Sequence, residues 1–299
     1  MTTPTSLLLA GVFAASVIVP AHAGEGNFGW IYTLDLQPKG SFEFEQRLQL
    51  TRRQASGTYD YWRSRSELEY GLTDNVQISG YINATSITAN RNYTNPEACG
   101  VAASSCTAGF GVPEGVTGRY SDAQIDGGSA EVIWRLTNPV TSPVGVGLYL
   151  DATYGRLANE YEARLLLQSN FLDDSLVLAT NVVYEAEYLK FLDRPSREAM
   201  VDVLLGASYR FAPRWSAGLE YRFHNDFLGY NLDQHTQTAH FGGPNIHYAE
   251  KNFWVTAAWR HQFGGSCFGP GTAECSGGYV WDSHGREEFI VKLGIPLGD

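Results

Sequence analysis

The sequence predicts an all-β protein, a closed antiparallel transmembrane β-barrel of 12 strands with short turns at one end and longer loops at the other. Three observations carry this expectation. Apolar and polar residues alternate with a period of two in segment after segment. The connections between those segments alternate in length. Aromatic residues gather at the ends of the apolar faces.

The first strand is expected over residues 42–53, where Phe42, Phe44, Leu48 and Leu50 alternate with Glu43, Glu45, Arg47 and Gln49. In the second, 59–72, Trp62, Leu68, Tyr70 and Leu72 alternate with Arg63, Arg65, Glu67 and Glu69. Successive strand side chains point to opposite faces, so such a run has one apolar and one polar face. The pattern returns over 76–89, 126–137, 144–155, 160–171, 175–189, 198–211, 215–225, 236–248, 252–263 and 286–297. Gly242, Gly243 and Pro244 interrupt the 236–248 segment and predict a bulge or bend there. Tight turns are expected at 73–75, 138–142, 172–174, 212–214 and 249–251. The longer loops are 54–58, 90–125, 156–159, 190–197, 226–235 and 264–285. All the tight turns then fall at one end, as in outer-membrane barrels.

Alternation alone does not say which face meets lipid. Side chains just fill an eight-stranded barrel, whereas twelve strands leave a wider interior that an all-apolar face would fill poorly. Tyr209, Phe211 and Trp215 flank one tight turn, Phe171 and Tyr70 lie beside others, and Trp259 and Phe263 lie at the loop end. Such girdles mark the two membrane interfaces. The apolar face is therefore assigned to lipid. The lumen is expected to hold Glu43, Glu45, Arg47, Arg63, Arg65, Glu67, Glu69, Glu131, Arg135, Asp151, Glu162, Arg164, Glu185, Arg210, Glu220, Arg222, Arg260 and Lys292, together with Glu160, Glu187, Asp202 and Glu288. Two roles stay open for them: a network of ion pairs that partly closes the bore, or a charged, water-filled path weakly favouring cations or neutral polar solutes.

Residues 7–20 form an apolar run followed by Ala21-His22-Ala23, which reads as a signal peptide over 1–23 for export, although residues 1–6 carry no Lys or Arg. Residues 24–40 are read as a periplasmic lead-in, with an inserted segment as the alternative and Pro38-Lys39-Gly40 as its final turn. The four cysteines form two close pairs, Cys99 with Cys106 and Cys267 with Cys275, in loops on the same side. An even count in an exported chain suggests two local disulfides. Neither pair has the spacing of a zinc site. The chain has 299 residues, only 18% of them charged, and a net charge of −11, which argues against nucleic acid as a partner. No cofactor, metal or nucleotide motif is visible.

Several stretches resemble an uncharacterised family of Gram-negative outer-membrane barrels: the opening run Tyr32-Thr33-Leu34-Asp35-Leu36-Gln37-Pro38-Lys39-Gly40 followed by Phe42-Glu43-Phe44-Glu45-Gln46, then Glu67-Leu68-Glu69-Tyr70-Gly71-Leu72-Thr73-Asp74-Asn75, Asn170-Phe171-Leu172-Asp173-Asp174, Ala207-Ser208-Tyr209-Arg210-Phe211-Ala212-Pro213 and Phe241-Gly242-Gly243-Pro244. A more distant similarity is to the porin-like phenol meta-pathway family. The resemblance implies an outer-membrane barrel with a transport role, and no catalytic residue. Its implied partners are outer-membrane lipid, the barrel-assembly machinery and a small-molecule solute.

The expected function is a passive channel or porin-like transporter for small solutes, with the 90–125 loop long enough to fold inward. A structural or binding barrel closed by ion pairs is the alternative. An outer-membrane hydrolase is a weaker one: His224 shares a face with Glu220 and Arg222, and His240 and His261 lie on nearby strands, but no serine-centred motif accompanies them. His261 falls on the apolar face, where an interfacial role is expected.

Overall fold

The computed structural model describes residues 26–94, 108–113, 115–116, 118–193, 195–269, 275–281 and 284–298. The signal-peptide segment lies outside them. Among the described residues there are fourteen strands: β1 (Phe42–Arg52), β2 (Thr58–Thr73), β3 (Val76–Asn90), β4 (Arg119–Thr137), β5 (Gly145–Gly155), β6 (Ala158–Phe171), β7 (Leu176–Leu189), β8 (Ser196–Ala212), β9 (Trp215–Leu228), β10 (Gln234–Ala249), β11 (Trp254–Cys267), β12 (Cys275–Ser276), β13 (Tyr279–Val280) and β14 (Glu287–Leu297). Twelve of them close an antiparallel barrel, each pairing with its neighbours in sequence. The seam joins β1 to β14 from Phe42↔Leu297 to Arg52↔Glu287. β12 and β13 form a small hairpin in the last loop.

Of the two disulfides expected from the cysteine pairs, the one between Cys267 and Cys275 is present and ties the end of β11 to that hairpin. The other expected pair, Cys99 and Cys106, lies outside the described residues.

The strands pair where the alternation places them, with one instructive shift. β4 begins at Arg119 rather than 126. Its pairing with β3 slips between Asn83 and Ala84, opposite Gly127. Gly127 has φ +146°, and a Cβ there would meet the Tyr154 carbonyl oxygen at 1.9 Å. A bulge adds one residue and exchanges the faces. Below it Glu131 and Ile133 are buried; above it the odd-numbered Ile125 is 71% exposed. The periodicity therefore breaks at 126 although the strand continues. The bend expected at Gly242–Pro244 is displaced: the pairing with β11 slips between His240 and Phe241, while Gly242, Gly243 and Pro244 stay in register with β9. Of the loops, that joining β5 and β6 is only residues 156–157.

The outer surface is apolar. Leu48, Trp62, Leu68, Ile82, Trp134, Leu150, Leu219 and Phe289 are each 40% or more exposed on strands. In water such a belt would be an aggregation surface; in a bilayer it is the lipid face. Leu150→Arg, at the middle of β5, is expected to destabilise the barrel by about 2–4 kcal/mol. Urea unfolding from lipid vesicles measures this, and an unchanged midpoint would contradict the orientation.

For the described part of residues 24–40 the structure replaces the periplasmic lead-in with the alternative, an inserted segment. Residues 26–37 run inside the barrel instead of beneath it, and Phe28, Ile31, Tyr32, Leu34 and Leu36 are all buried. Phe28 and Ile31 pack on Val177, Ala179, Val183 and Leu204 of β7 and β8. Tyr32, Leu34 and Leu36 pack on Ile133, Tyr149 and Leu166 of β4, β5 and β6. Fully burying each such apolar side chain contributes about 1.5–3 kcal/mol, which explains why the segment leaves water for the lumen. Small residues make room for it: a Cβ on Gly206 would meet Ile31 at 2.6 Å, and one on Gly147 would meet Leu34 at 2.4 Å.

Candidate functional site

An inserted backbone without strand partners must find hydrogen bonds elsewhere, and lumen side chains supply them. The N–H groups of Gly29 and Trp30 donate to the two oxygens of Glu220 at 2.6 and 2.9 Å. Asn181 accepts from the Tyr32 N–H at 2.8 Å and donates to the Tyr32 carbonyl at 2.9 Å. Gln168 accepts from the Leu34 N–H at 2.6 Å, and Gln77 from the Gln37 N–H at 2.8 Å. Arg164 and Arg135 donate to the carbonyls of Trp30 and Leu34, and Thr256 to that of Gly26. These partners come from β3, β4, β6, β7, β9 and β11, so the segment crosses the bore. All but Arg164, at the middle of β6, lie in the half of the barrel nearer the tight turns. The Arg260 guanidinium lies 4.2 Å from the Trp30 ring centroid, and that of Arg164 lies 4.6 Å from Tyr32, geometries that hold a cation over an aromatic face.

Above this floor lies a cavity of about 180 Å³. Trp30 and Tyr32 line it below, and Phe110 and His284 reach it from the loops. The described part of the long loop after β3 folds inward: Val112 is buried, Phe110 packs on Phe191 of the β7–β8 loop, and the Tyr59 hydroxyl donates to the Phe110 carbonyl at 3.0 Å.

Six arginines and seven carboxylates of the described residues line the cavity. Arg47, Arg63 and Arg65 come from β1 and β2. Glu160, Glu162, Glu185 and Glu187 come from β6 and β7. Two ion pairs join strands that are not neighbours: Arg63 Nη2 lies 3.6 Å from Glu160 Oε2, and Arg65 Nη2 lies 3.0 Å from Asp151 Oδ2. They run from β2 to β6 and to β5, and narrow the cavity. The remaining pairs are local, Arg222 with Asp202, Arg260 with Glu288, Arg164 with Glu162, and Lys292 and Arg47 with Glu45.

The residues assigned to the lumen divide by depth. Glu43, Glu45, Glu67, Glu69, Glu131, Asp151, Glu185, Glu220, Arg222, Arg260 and Lys292 are buried. Arg47, Arg63, Arg65, Glu162 and Arg164 are partly buried on the cavity wall. Arg135 sits at the tight-turn end, where it also donates to the carbonyl of Asp74. Arg210 is the exception. It has the inward parity but is exposed, because it sits at the rim beside the 172–175 turn, 3.4 Å from the Asp173 carbonyl.

The three histidines considered from the sequence part company. His240 is on the outer side, bonded to the Tyr221 hydroxyl at 2.7 Å and stacked on Phe223. His261 lies between Trp259 and Phe263 and pairs with Glu287 at 3.0 Å. His224 alone faces inward, fully buried. It meets His284, a residue that sequence reasoning missed because a loop brings it from 60 positions away.

The fold and its lumen define a transmembrane β-barrel with an internal segment across the bore. The chain belongs to the family of unknown function DUF6662, whose model matches residues 20–297. No curated protein matches its sequence. Its fold is similar to that of the NanC porin, with 9% identity, 85% of this chain and 100% of that chain covered, and a TM-score of 0.50. It is also similar to the COG4313 outer membrane channel from Pseudomonas putida F1, with 10% identity, 87% and 96% coverage and a TM-score of 0.54. At such identities the likeness is one of fold.

Proposed function

We propose that this protein is a porin-like channel of the bacterial outer membrane, exported by its N-terminal signal peptide, which admits small solutes from the loop end and restricts their passage with residues 26–37. The observation that carries this reading is the charged cavity above the inserted segment. Charged side chains facing a water-filled space conduct and select; a purely structural interior has no need of one. The two similar folds, a porin and an outer-membrane channel, support it. A hydrolase has less support, since none of the hydrogen-bond partners of His224 is a hydroxyl. Small aromatic compounds, the class pointed to by the distant phenol meta-pathway resemblance, are the first solutes to try. Outer-membrane lipid and the barrel-assembly machinery are the partners this reading requires.

Conductance in planar bilayers tests the proposal. Small, cation-preferring conductance is expected, because Glu185 and Glu187 add to Glu160 on one wall, with ligand-capable oxygens of all three within 4.8 Å of one another. Replacing both with Gln in the Glu185→Gln/Glu187→Gln variant is expected to move the reversal potential towards anions. A silent wild-type channel that conducts only after removal of residues 26–36 would favour the second reading, a barrel closed by its ion pairs and inserted segment. Silence in both forms would overturn the channel.

A further inference from the structure

We propose that His224, Asp226 and His284 form a binding site for a divalent transition-metal ion of the zinc class at the loop end of the lumen. Three lone-pair atoms converge there. His224 Nε2 lies 2.6 Å from Asp226 Oδ2 and 2.8 Å from His284 Nε2, and His284 Nε2 lies 3.7 Å from Asp226 Oδ2. Three such atoms facing one another need a hydrogen or a metal ion among them. Zinc–ligand bonds of about 2.0–2.1 Å in tetrahedral geometry set ligand atoms about 3.3 Å apart. His284 Nε2, on the loop between β13 and β14, would reach that spacing by a shift of about half an ångström, while His224 Nε2 and Asp226 Oδ2, two residues apart on the same face of β9, would part by about 0.7 Å. Two imidazoles and one carboxylate suit zinc, cobalt, nickel or copper better than calcium or magnesium.

The surroundings are those of a ligand set held in place. Asp202, opposite His224 in the β8–β9 register, contacts its Nδ1 at 2.8 Å. A carboxylate on Nδ1 fixes the tautomer that leaves Nε2 free to bind metal. Arg222 holds Asp202 in turn; its Nη2, 2.8 Å from His224 Nδ1, can only donate there and must release that nitrogen when Nδ1 carries the proton. Gln237, opposite Asp226 in the β9–β10 register, donates to Asp226 Oδ2. Asp202 and His284 border the cavity, so an ion entering from the loop end reaches the site, and water from the cavity can complete its coordination.

The test needs no transport assay, so its outcome is independent of the channel reading. The full mature chain, refolded in detergent, is titrated with cobalt(II), then with zinc. One equivalent of cobalt with visible d–d bands, displaced by zinc, is expected. His284→Ala, a loop change that leaves every barrel strand intact, should abolish the bands. His261→Ala and His235→Ala, at histidines elsewhere, should retain them. Asp202→Asn should weaken binding by about 10- to 100-fold, the cost of losing an orienting partner. As a second readout, zinc but not magnesium should raise the Tm of the wild-type chain. Cobalt uptake that is absent, or equal in wild type and His284→Ala, would overturn the site, as would uptake that follows His261 or His235.

Discussion

Removing residues 26–36 is expected to raise single-channel conductance several-fold while the barrel still assembles. The segment crosses the bore with hydrogen bonds to side chains of six strands, yet it contributes no pair to the β1–β14 seam or to any other ladder. Keeping Gln37 preserves its bond to Gln77 and the Pro38–Gly40 turn, in which the Gly40 N–H donates to the Gly71 carbonyl at 2.7 Å. The deletion leaves Ile133, Leu166, Val183 and Leu204 facing water. Thermal stability should therefore fall although the strand pairing persists. Heat-modifiable gel mobility reports assembly, and bilayer recordings report conductance. An assembled variant with unaltered conductance would show that the bore is closed elsewhere.

The second large effect is expected from Glu220→Ala. This carboxylate accepts the N–H groups of Gly29 and Trp30 and a third hydrogen bond from Asn245 at 3.0 Å. Alanine leaves these buried donors without that partner, at about 1–3 kcal/mol for each one left unsatisfied. The first half of the segment should loosen while Asn181 and Gln168 still hold the second half. A cysteine introduced at Phe28 should be shielded from a thiol reagent in the wild-type background and labelled when Glu220 is Ala, with increased open-channel noise. Equal labelling in both backgrounds would show that the Glu220 contacts do not secure the segment.

The barrel itself was legible because lipid outside and water inside impose opposite demands on alternate residues, and these demands persist along whole strands. Where the backbone departed from strict pleating, the signal failed. At Gly127 the extra residue exchanged the faces, so the top of β4 read as loop. Arg210 had the right parity, but periodicity carries no depth, and it lies at the rim. The inserted segment had left a trace: Phe28, Trp30, Tyr32, Leu34 and Leu36 recur every second residue. The trace was ambiguous because the segment has no paired strand, and its backbone partners are single side chains scattered from Gln77 to Thr256. His284 was invisible for a related reason. Metal motifs are recognised by close spacing, whereas here the register of β8, β9 and β10 aligns Asp202, His224, Asp226 and Gln237, and a loop supplies the last imidazole.

The path of the inserted segment has a topological consequence. It starts beside Thr256 and ends at the Pro38–Gly40 turn, both close to the tight-turn rim, so from Gly26 to Gly40 the backbone makes a bight within one mouth of the cylinder. A bight can be swallowed after the wall has closed, and it can be pulled back without unzipping a single rung of the wall.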